Sequence, residues 1–350
     1  MRIIESDVSF LNQKEGLEGL YEHIENCGRT CYKSENNIKE GSAEKFVNAM
    51  IKSHHGAMLE HGTVYLSVPY DTKRDCLIDG YSIYSSDHVI PRIGVQYATN
   101  PYSKVVPNPS KQTHEITTNL RVLVENGWLD DLKYMCEPTE YHEKRYTLRF
   151  ICDRGVTHEL VRHRKFSFAQ ESSRYCNYGD DKKFGKELTF ICPSWLNHAE
   201  LTEMAEVMKN TKNNVKRAIY DLLFDDEYEV NSKDAINEAN KQRNALILVY
   251  DMLSSEKNYM YMINHGCQPQ QARQVLPTMI KSEICVTGFA SDWRFFFDLR
   301  LFGKTGTPHP DMLRVAEIAK GRFEANNAWD DIMSHQSKFD TDSDITDELK

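Results

Sequence analysis

Two short runs of strict alternation, each set among helix-periodic segments, constrain this chain most. Arg145 to Cys152 places Tyr146, Leu148, Phe150 and Cys152 on one face, the period-two pattern of a half-buried strand. Asp153-Arg154-Gly155 then turns the chain into a short helix from about Val156. Thr63 to Val68 alternates in the same way and is closed by Pro69. Helical spacing comes earlier, at Leu17, Leu20, Tyr21 and Ile24, and again at Phe46, Ala49, Met50 and Ile51 after an expected N-cap at Ser42. Residues of about 70–142 are irregular, with Pro91, Pro101, Pro107 and Pro109, and read as an elaboration. They hold an expected strand near Glu115 to Val122 and a short helix near Leu129 to Met135. The second half reads as helices at about 198–224, 233–263, 268–276, 290–302 and 310–328. The Asp340-Thr341-Asp342-Ser343-Asp344 run lacks core residues, so 336–350 is expected to be an acidic, disordered tail.

Composition narrows the function classes. With 43 Lys and Arg against 52 Asp and Glu the net charge is −9, so the average field repels polyanions and nonspecific coating of nucleic acid is not expected. No apolar run approaches the roughly 20 residues that span a bilayer, and Met1-Arg2-Ile3-Ile4-Glu5-Ser6-Asp7 lacks the apolar region of a signal peptide. A cytoplasmic location is the expectation. The nine cysteines form no C-x-x-C pair and read as reduced thiols. Cys27 and Cys31 would share a helix face, but two further soft ligands are not found near them, and no metal is expected. Neither a G-x-G-x-x-G nor a Walker A sequence occurs, so a bound nucleotide has to be held by arginines.

Those arginines cluster. From Glu159 to Tyr175 the chain carries Arg162, His163, Arg164, Lys165 and Arg174 among Ser167, Ser172, Ser173 and Gln170. Arginine offers a planar fork for phosphate, serine hydroxyls and loop N–H groups fill the remaining oxygens, and glutamine can read an amide-like base edge. A solvated basic helix face would have the same composition. The spacing separates the two. Arg162-His163-Arg164 followed after seven residues by Ser172, and then by Ser173-Arg174-Tyr175, resembles the signature of the flavin-dependent thymidylate synthases. Met58-Leu59-Glu60-His61-Gly62-Thr63 resembles that family's Glu-His segment. Gln271-Ala272-Arg273-Gln274-Val275-Leu276-Pro277 and Phe296-Phe297-Asp298-Leu299-Arg300 resemble its later arginine elements. The resemblance covers about 1–69, 143–178 and 200–330.

The resemblance implies an α+β subunit, a sheet flanked by helices with a helix-rich C-terminal half. It implies a single domain over 1–335 with an insertion at about 70–142, assembled as a homotetramer with sites between subunits. The implied reaction converts dUMP to dTMP with methylenetetrahydrofolate as one-carbon donor and NADPH as reductant through FAD. By the same resemblance His61, Thr63, Arg162, His163, Arg164, Gln170 and His309 hold the cofactor, the last only if about five residues near Leu301 to Thr305 are inserted. Glu159, Arg162, Gln170, Ser172, Ser173, Arg174, Arg273 and Arg300 meet the substrate. Arg300 stabilises charge on the uracil in place of a cysteine nucleophile. Glu159 stands where the family commonly has Gln, and would repel phosphate unless it turned toward Arg162 or Arg174. Phe289 and Phe295 fall where polar asparagines commonly meet the flavin and are left out of the catalytic set. Two rival readings are another flavin or nucleotide oxidoreductase, and a nucleic-acid-binding module using the basic loop with Phe166, Phe168 and Tyr175.

Overall fold

The computed structural model describes residues 1–70, the two-residue strands 77–78, 81–82, 84–85 and 88–89, and residues 92–223 and 233–339. Its longer strands are β1 (Arg2–Ile4), β2 (Asp7–Leu11), β3 (Thr63–Pro69), β4 (Lys104–Asn108), β5 (Thr113–Asn119), β6 (Arg145–Asp153), β7 (Ser167–Gln170), β8 (Thr189–Ile191) and β9 (Lys281–Phe289). β7, β9, β6 and β2 form an antiparallel sheet in that order. β3, β5 and β4 form a second antiparallel sheet, and β1 pairs in parallel with β8. The mixture of helix and antiparallel sheet is an α+β arrangement.

The alternation of β6 sorts the central sheet into two faces. Leu148, Phe150 and Cys152 pack with Val286 and Ile284 of β9 against Trp293, Phe296 and Phe297 of the Ala290–Arg300 helix. Met312, Val315, Ala319 and Phe323 of the Pro310–Ala325 helix close the same core. The other face carries Thr147, Arg149, Thr287 and Cys285 toward the Gly16–Thr30 helix. Beyond that helix a second core gathers Leu20, Ile24, Phe46, Leu59, Val64, Leu66, Tyr97, Ile116 and Leu123. Part of the irregular 70–142 region is thereby built into the N-terminal core, because β5 pairs with β3 from Thr63↔Asn119 to Pro69↔Thr113. A third core joins β1 and β8 to the His198–Asn210 and Lys233–Asn264 helices.

Several local expectations need correction. The strand near Glu115 to Val122 ends at Asn119, whose side chain accepts from the Val122 N–H at 3.2 Å and starts the Leu120–Asn126 helix. Ser42 is the first helical residue and not the cap, its hydroxyl donating instead to Glu25 at 2.7 Å. The 198–224 helix is two, His198–Asn210 and Asn213–Leu223, parted at Thr211. β9, absent from the sequence reading, is the strand on which the central sheet is assembled. Residues 336–339 are docked: Ser337 is buried and donates to Asp298 at 2.7 Å, and Phe339 stacks on Phe295 with ring centroids 6.0 Å apart. Residues 340–350 lie outside the described residues.

A line of buried polar side chains joins the sheet to the N-terminal helices. His61 Nδ1 meets Thr287 Oγ1 at 2.7 Å, Thr287 meets Thr147 at 2.7 Å, and Thr147 meets His23 Nε2 at 3.0 Å. Burial, seconded by Arg145, brings His23 down to about 4. Burial, with His23 and Arg145 next, brings His61 to about 3.

Gly288 of β9 lies under the Phe166 ring, and a Cβ there would fall 2.1 Å from Phe166 Cδ1. Gly288→Ala should cost about 1–3 kcal/mol, read as a lowered urea midpoint, and an unchanged midpoint would remove the ring from the strand. The histidines make a second prediction. The unfolded chain binds protons on His23 and His61 below about pH 6.5 and the folded chain does not until about 4 and about 3. Stability therefore falls as the pH drops from about 6.5 to 4, each histidine contributing roughly 1.4 kcal/mol per pH unit at most. His23→Gln should remove one proton's worth of that slope in urea titrations at pH 7 and 5, and a slope equal to wild type would show that His23 is already charged.

Candidate functional site

The basic loop is positioned by three elements. The Arg154–Leu160 helix, capped by Asp153 accepting from the Val156 N–H at 2.9 Å, brings the chain to Arg162-His163-Arg164. β7 pairs with β9 and carries it to Gln170. The Glu171–Tyr175 loop then rests on the end of the Gly16–Thr30 helix, where the Ser172 N–H donates to the Cys31 carbonyl at 3.0 Å and Tyr175 packs on Tyr32 at 5.4 Å.

A salt-bridge network anchors this loop, and the sequence reading missed it. Glu171 is buried and receives Lys281 Nζ at 2.8 Å and the Tyr178 hydroxyl at 2.9 Å. Lys281 also meets Glu283 at 2.7 Å, and Lys33 meets Glu283 at 2.9 Å. Burial works against the Glu283 carboxylate, but Lys281 and Lys33 together hold it down at about 2. Lys281 and Glu283, two apart on one strand face, were the available signal.

The sequence-derived residues fall into separate groups. Glu159, His163 and Arg300 are in direct contact: Arg300 Nη1 donates to Glu159 Oε2 at 2.6 Å and Arg300 Nε to His163 Nε2 at 3.2 Å. This corrects the expectation for Glu159, which pairs with Arg300 and not with Arg162 or Arg174. His163 is buried against Phe166, Phe295 and Phe296, and burial, followed by the Arg300 charge, brings it down to about 4. It is neutral near pH 7, with Nε2 accepting from Arg300, which puts the proton on the unpartnered and buried Nδ1.

Arg174 forms the second group. Its Nε donates to Gln270 Oε1 at 3.2 Å, in the segment that leads to Arg273, and its guanidinium lies over the Tyr175 ring at 5.2 Å. Arg162, Arg164, Arg174 and Arg273 are all exposed, and among the described residues none of them has a carboxylate partner. Ser172 is half-buried and Ser173 buried at the base of the loop. Gln170 points inward, donating to Thr157 at 2.9 Å and Ser282 at 3.0 Å.

His61 and Thr63 stand apart from these groups, in the buried polar layer. Thr63 accepts from Arg145 Nη1 at 3.3 Å, and Arg145 Nη2 reaches Ser167 at 3.4 Å, so Arg145 links their layer to β7. His61 Nε2 is buried without a partner. A cavity of about 260 Å³ lined by His23, Thr63, Tyr65, Arg145 and Thr147 opens beside them. His309 is exposed at the N-cap of the Pro310–Ala325 helix. Phe289 lies under the guanidinium of Arg145 at 5.4 Å, and Phe295 under Lys338 Nζ at 4.4 Å, so both rings carry cations in place of hydrogen bonds.

The arrangement offers four exposed guanidiniums for anionic oxygens and one oriented arginine, Arg300, whose Nη2 has no partner among the described residues. Among those residues no helix is long and apolar enough to cross a membrane.

The chain is similar to several known proteins. The flavin-dependent thymidylate synthase of Corynebacterium glutamicum is 27% identical over 225 residues, 64% of this chain and 71% of that protein. The flavin-dependent thymidylate synthase of Corynebacterium efficiens is 28% identical over 226 residues, 64% of this chain and 72% of that protein. A solved structure of a UMP/dUMP methylase, PolB from Streptomyces cacaoi, bound with 5-Br dUMP, aligns over 95% of this chain and 97% of its own at 14% identity and a TM-score of 0.40. The family model described as thymidylate synthase complementing protein matches residues 127–317, more than half of the chain, and the chain belongs to that family.

Proposed function

We propose that this chain is a flavin-dependent thymidylate synthase, which methylates dUMP to dTMP with FAD as its cofactor. Methylenetetrahydrofolate is the one-carbon donor and NADPH the reductant. The observation that carries the reading is the set of exposed arginines, Arg162, Arg164, Arg174 and Arg273, which have no carboxylate partner among the described residues, with Arg174 in the Ser172-Ser173 loop and bonded to Gln270 near Arg273, in a chain whose net charge is −9. In an acidic protein a local cluster of this kind attracts an anionic nucleotide against the average field. Arg174, with Arg273, presents two planar forks to a phosphate dianion. Arg162 and Arg164 suit the pyrophosphate of a dinucleotide cofactor. When bound, the flavin supplies the redox chemistry that NADPH and the one-carbon unit require.

Arg300 is suited to stabilise negative charge developing on the uracil ring. Glu159 and His163 hold two of its nitrogens, which fixes the plane of the guanidinium and leaves Nη2 to point at the ring. Glu159 in this reading positions Arg300, and its carboxylate is neutralised there and does not repel phosphate. A cysteine nucleophile is not required. Burial raises the thiols of Cys31 and Cys176 to about 12 and that of Cys192 to about 11. Cys285, brought to about 7 chiefly by Cys27, is wholly buried beneath Thr30.

The arginines face outward from one subunit, so a second copy is needed to enclose a nucleotide, and a homotetramer in the cytoplasm is part of the proposal. Sedimentation should give an oligomer, and an active monomer would contradict this. The activity is tested by supplying purified, flavin-loaded protein with dUMP, methylenetetrahydrofolate and NADPH and measuring dTMP. Oxidation of NADPH without dTMP would favour an oxidoreductase.

Arg174→Ala should weaken dUMP binding by roughly tenfold to a hundredfold, the loss of a charge-assisted contact of about 1.5–3 kcal/mol, with FAD retained. Depleted FAD with unchanged dUMP affinity would reverse the assignment. Arg300→Lys keeps the charge without the fork. It should retain FAD and most of the dUMP affinity yet lose most dTMP formation, while reduction of FAD by NADPH stays near normal. Normal dTMP formation in this variant would move the role to another residue.

A further inference from the structure

Away from the arginines, one group of metal-ligating side chains converges among the described residues: Glu115, Cys136 and His142, whose ligand atoms all lie within 4.8 Å of one another. They come from separate elements that the fold brings together. Glu115 is on β5. Cys136 follows the 3₁₀ turn Leu129–Tyr134 and is docked on β3 by its N–H donating to the Tyr65 carbonyl at 3.0 Å. His142 closes the turn from Thr139, its ring edge against Tyr65 at 5.4 Å.

The Glu115 carboxylate has two unlike oxygens. Oε1 receives Ser67 at 3.1 Å, Asn108 at 3.2 Å and Thr113 at 2.7 Å. Oε2 receives no hydrogen bond, although the side chain is 0% exposed. It faces His142 Nε2 at 3.5 Å, and Cys136 Sγ lies 4.0 Å from the same nitrogen. Burying a carboxylate with one oxygen unmet is costly unless a cation or a metal meets it. The described structure places no lysine or arginine within ion-pair distance of Glu115. The surroundings therefore hold Oε1 rigidly and direct Oε2 at a nitrogen and a sulfur.

We propose that Glu115, Cys136 and His142 bind a zinc ion that fastens the 136–142 segment to the β3–β5 sheet. The mixed O, S and N donors suit zinc, which is bound at about 2.0 Å by nitrogen and oxygen and about 2.3 Å by sulfur. Tetrahedral geometry at those lengths separates donors by roughly 3.3–3.6 Å, close to the His142–Glu115 spacing, with Cys136 moving in by a rotation about its side chain. On binding, the Cys136 thiol gives its proton to solvent and Sγ bonds the metal. Before the metal binds, Nδ1 of His142 accepts from the Thr139 N–H at 3.1 Å and Nε2 donates to the Leu66 carbonyl at 3.2 Å. Nε2 then gives up its proton and that contact to take the metal. The ring takes a proton from solvent at Nδ1, which turns from the Thr139 N–H to the Thr139 hydroxyl, 3.0 Å away. A water fills the fourth position. Cys136 is partly exposed and gives the ion a way in. The proposal does not depend on the nucleotide chemistry.

The full-length protein, stripped with a chelator and dialysed against zinc chloride, should retain one zinc per chain. Zinc should slow alkylation of Cys136 in the wild-type protein at least tenfold, read by peptide mass spectrometry and reversed by chelator. Cobalt substitution should give a thiolate-to-metal charge-transfer band that is lost in Cys136→Ser, and Glu115→Gln should weaken zinc at least tenfold. Unprotected Cys136 in wild type, or the same cobalt band in Cys136→Ser, would overturn the proposal and leave a buried Glu115–His142 ion pair.

Discussion

The structure depends on the pairing of β9 with β6 on one side and β7 on the other. β6 is paired along its full length, from Arg145↔Phe289 to Asp153↔Lys281, and β7 adds Ser167↔Thr287 to Gln170↔Ile284. This register fixes what each face of the sheet carries. Slipping it by one residue would exchange the apolar set Leu148, Phe150, Val286 and Ile284 with the polar set Thr147, Arg149, Thr287 and Cys285. The helices on either side could not accept the exchange, since one face is closed by phenylalanines and a tryptophan and the other by His23, Asn26 and Thr30.

From that register the site follows. β7 delivers Gln170 and the serine loop, and Lys281 at the start of β9 holds Glu171. The Ala290–Arg300 helix leaves the end of β9 and brings Arg300 back to Glu159 and His163, 141 and 137 residues away in sequence. Those three groups form one oriented cation within a neutralised cluster, whereas the four outer arginines are left without carboxylate partners among the described residues. That division of charge, one held and four exposed, suits the proposed nucleotide site, with fixed electrostatics for the reacting ring and accessible forks for phosphate.

The sequence revealed β3 and β6 because each has one apolar and one polar face. It did not reveal β9, and the reason is physical. Lys281, Glu283, Thr287 and Gly288 sit in a strand that is buried almost throughout, each with a partner that only the fold supplies: Glu171, Lys33, His61 with Thr147, and the Phe166 ring. The alternation is short, Ile284 and Val286 against Cys285 and Thr287, and the charged Lys281 and Glu283 before it read as exposed residues. The end of β5 at Asn119 was legible in principle as an N-cap, but the β-branched Thr117 and Thr118 before it and Val122 and Val124 after it favour a continued strand. In the site, the arginines and serines were legible from their spacing. The turn of Glu159 to Arg300 and the inward commitment of Gln170 to Thr157 and Ser282 were not, since both are long-range contacts.

The central claim is that the exposed arginines recognise the phosphate of a pyrimidine nucleotide. Calorimetric titration of flavin-loaded protein with dUMP and, separately, with deoxyuridine tests it most directly, because the two ligands differ only in that phosphate. Much tighter binding of dUMP, weakening with added salt, is the expected result. Equal affinity for the two ligands, insensitive to salt, would contradict it.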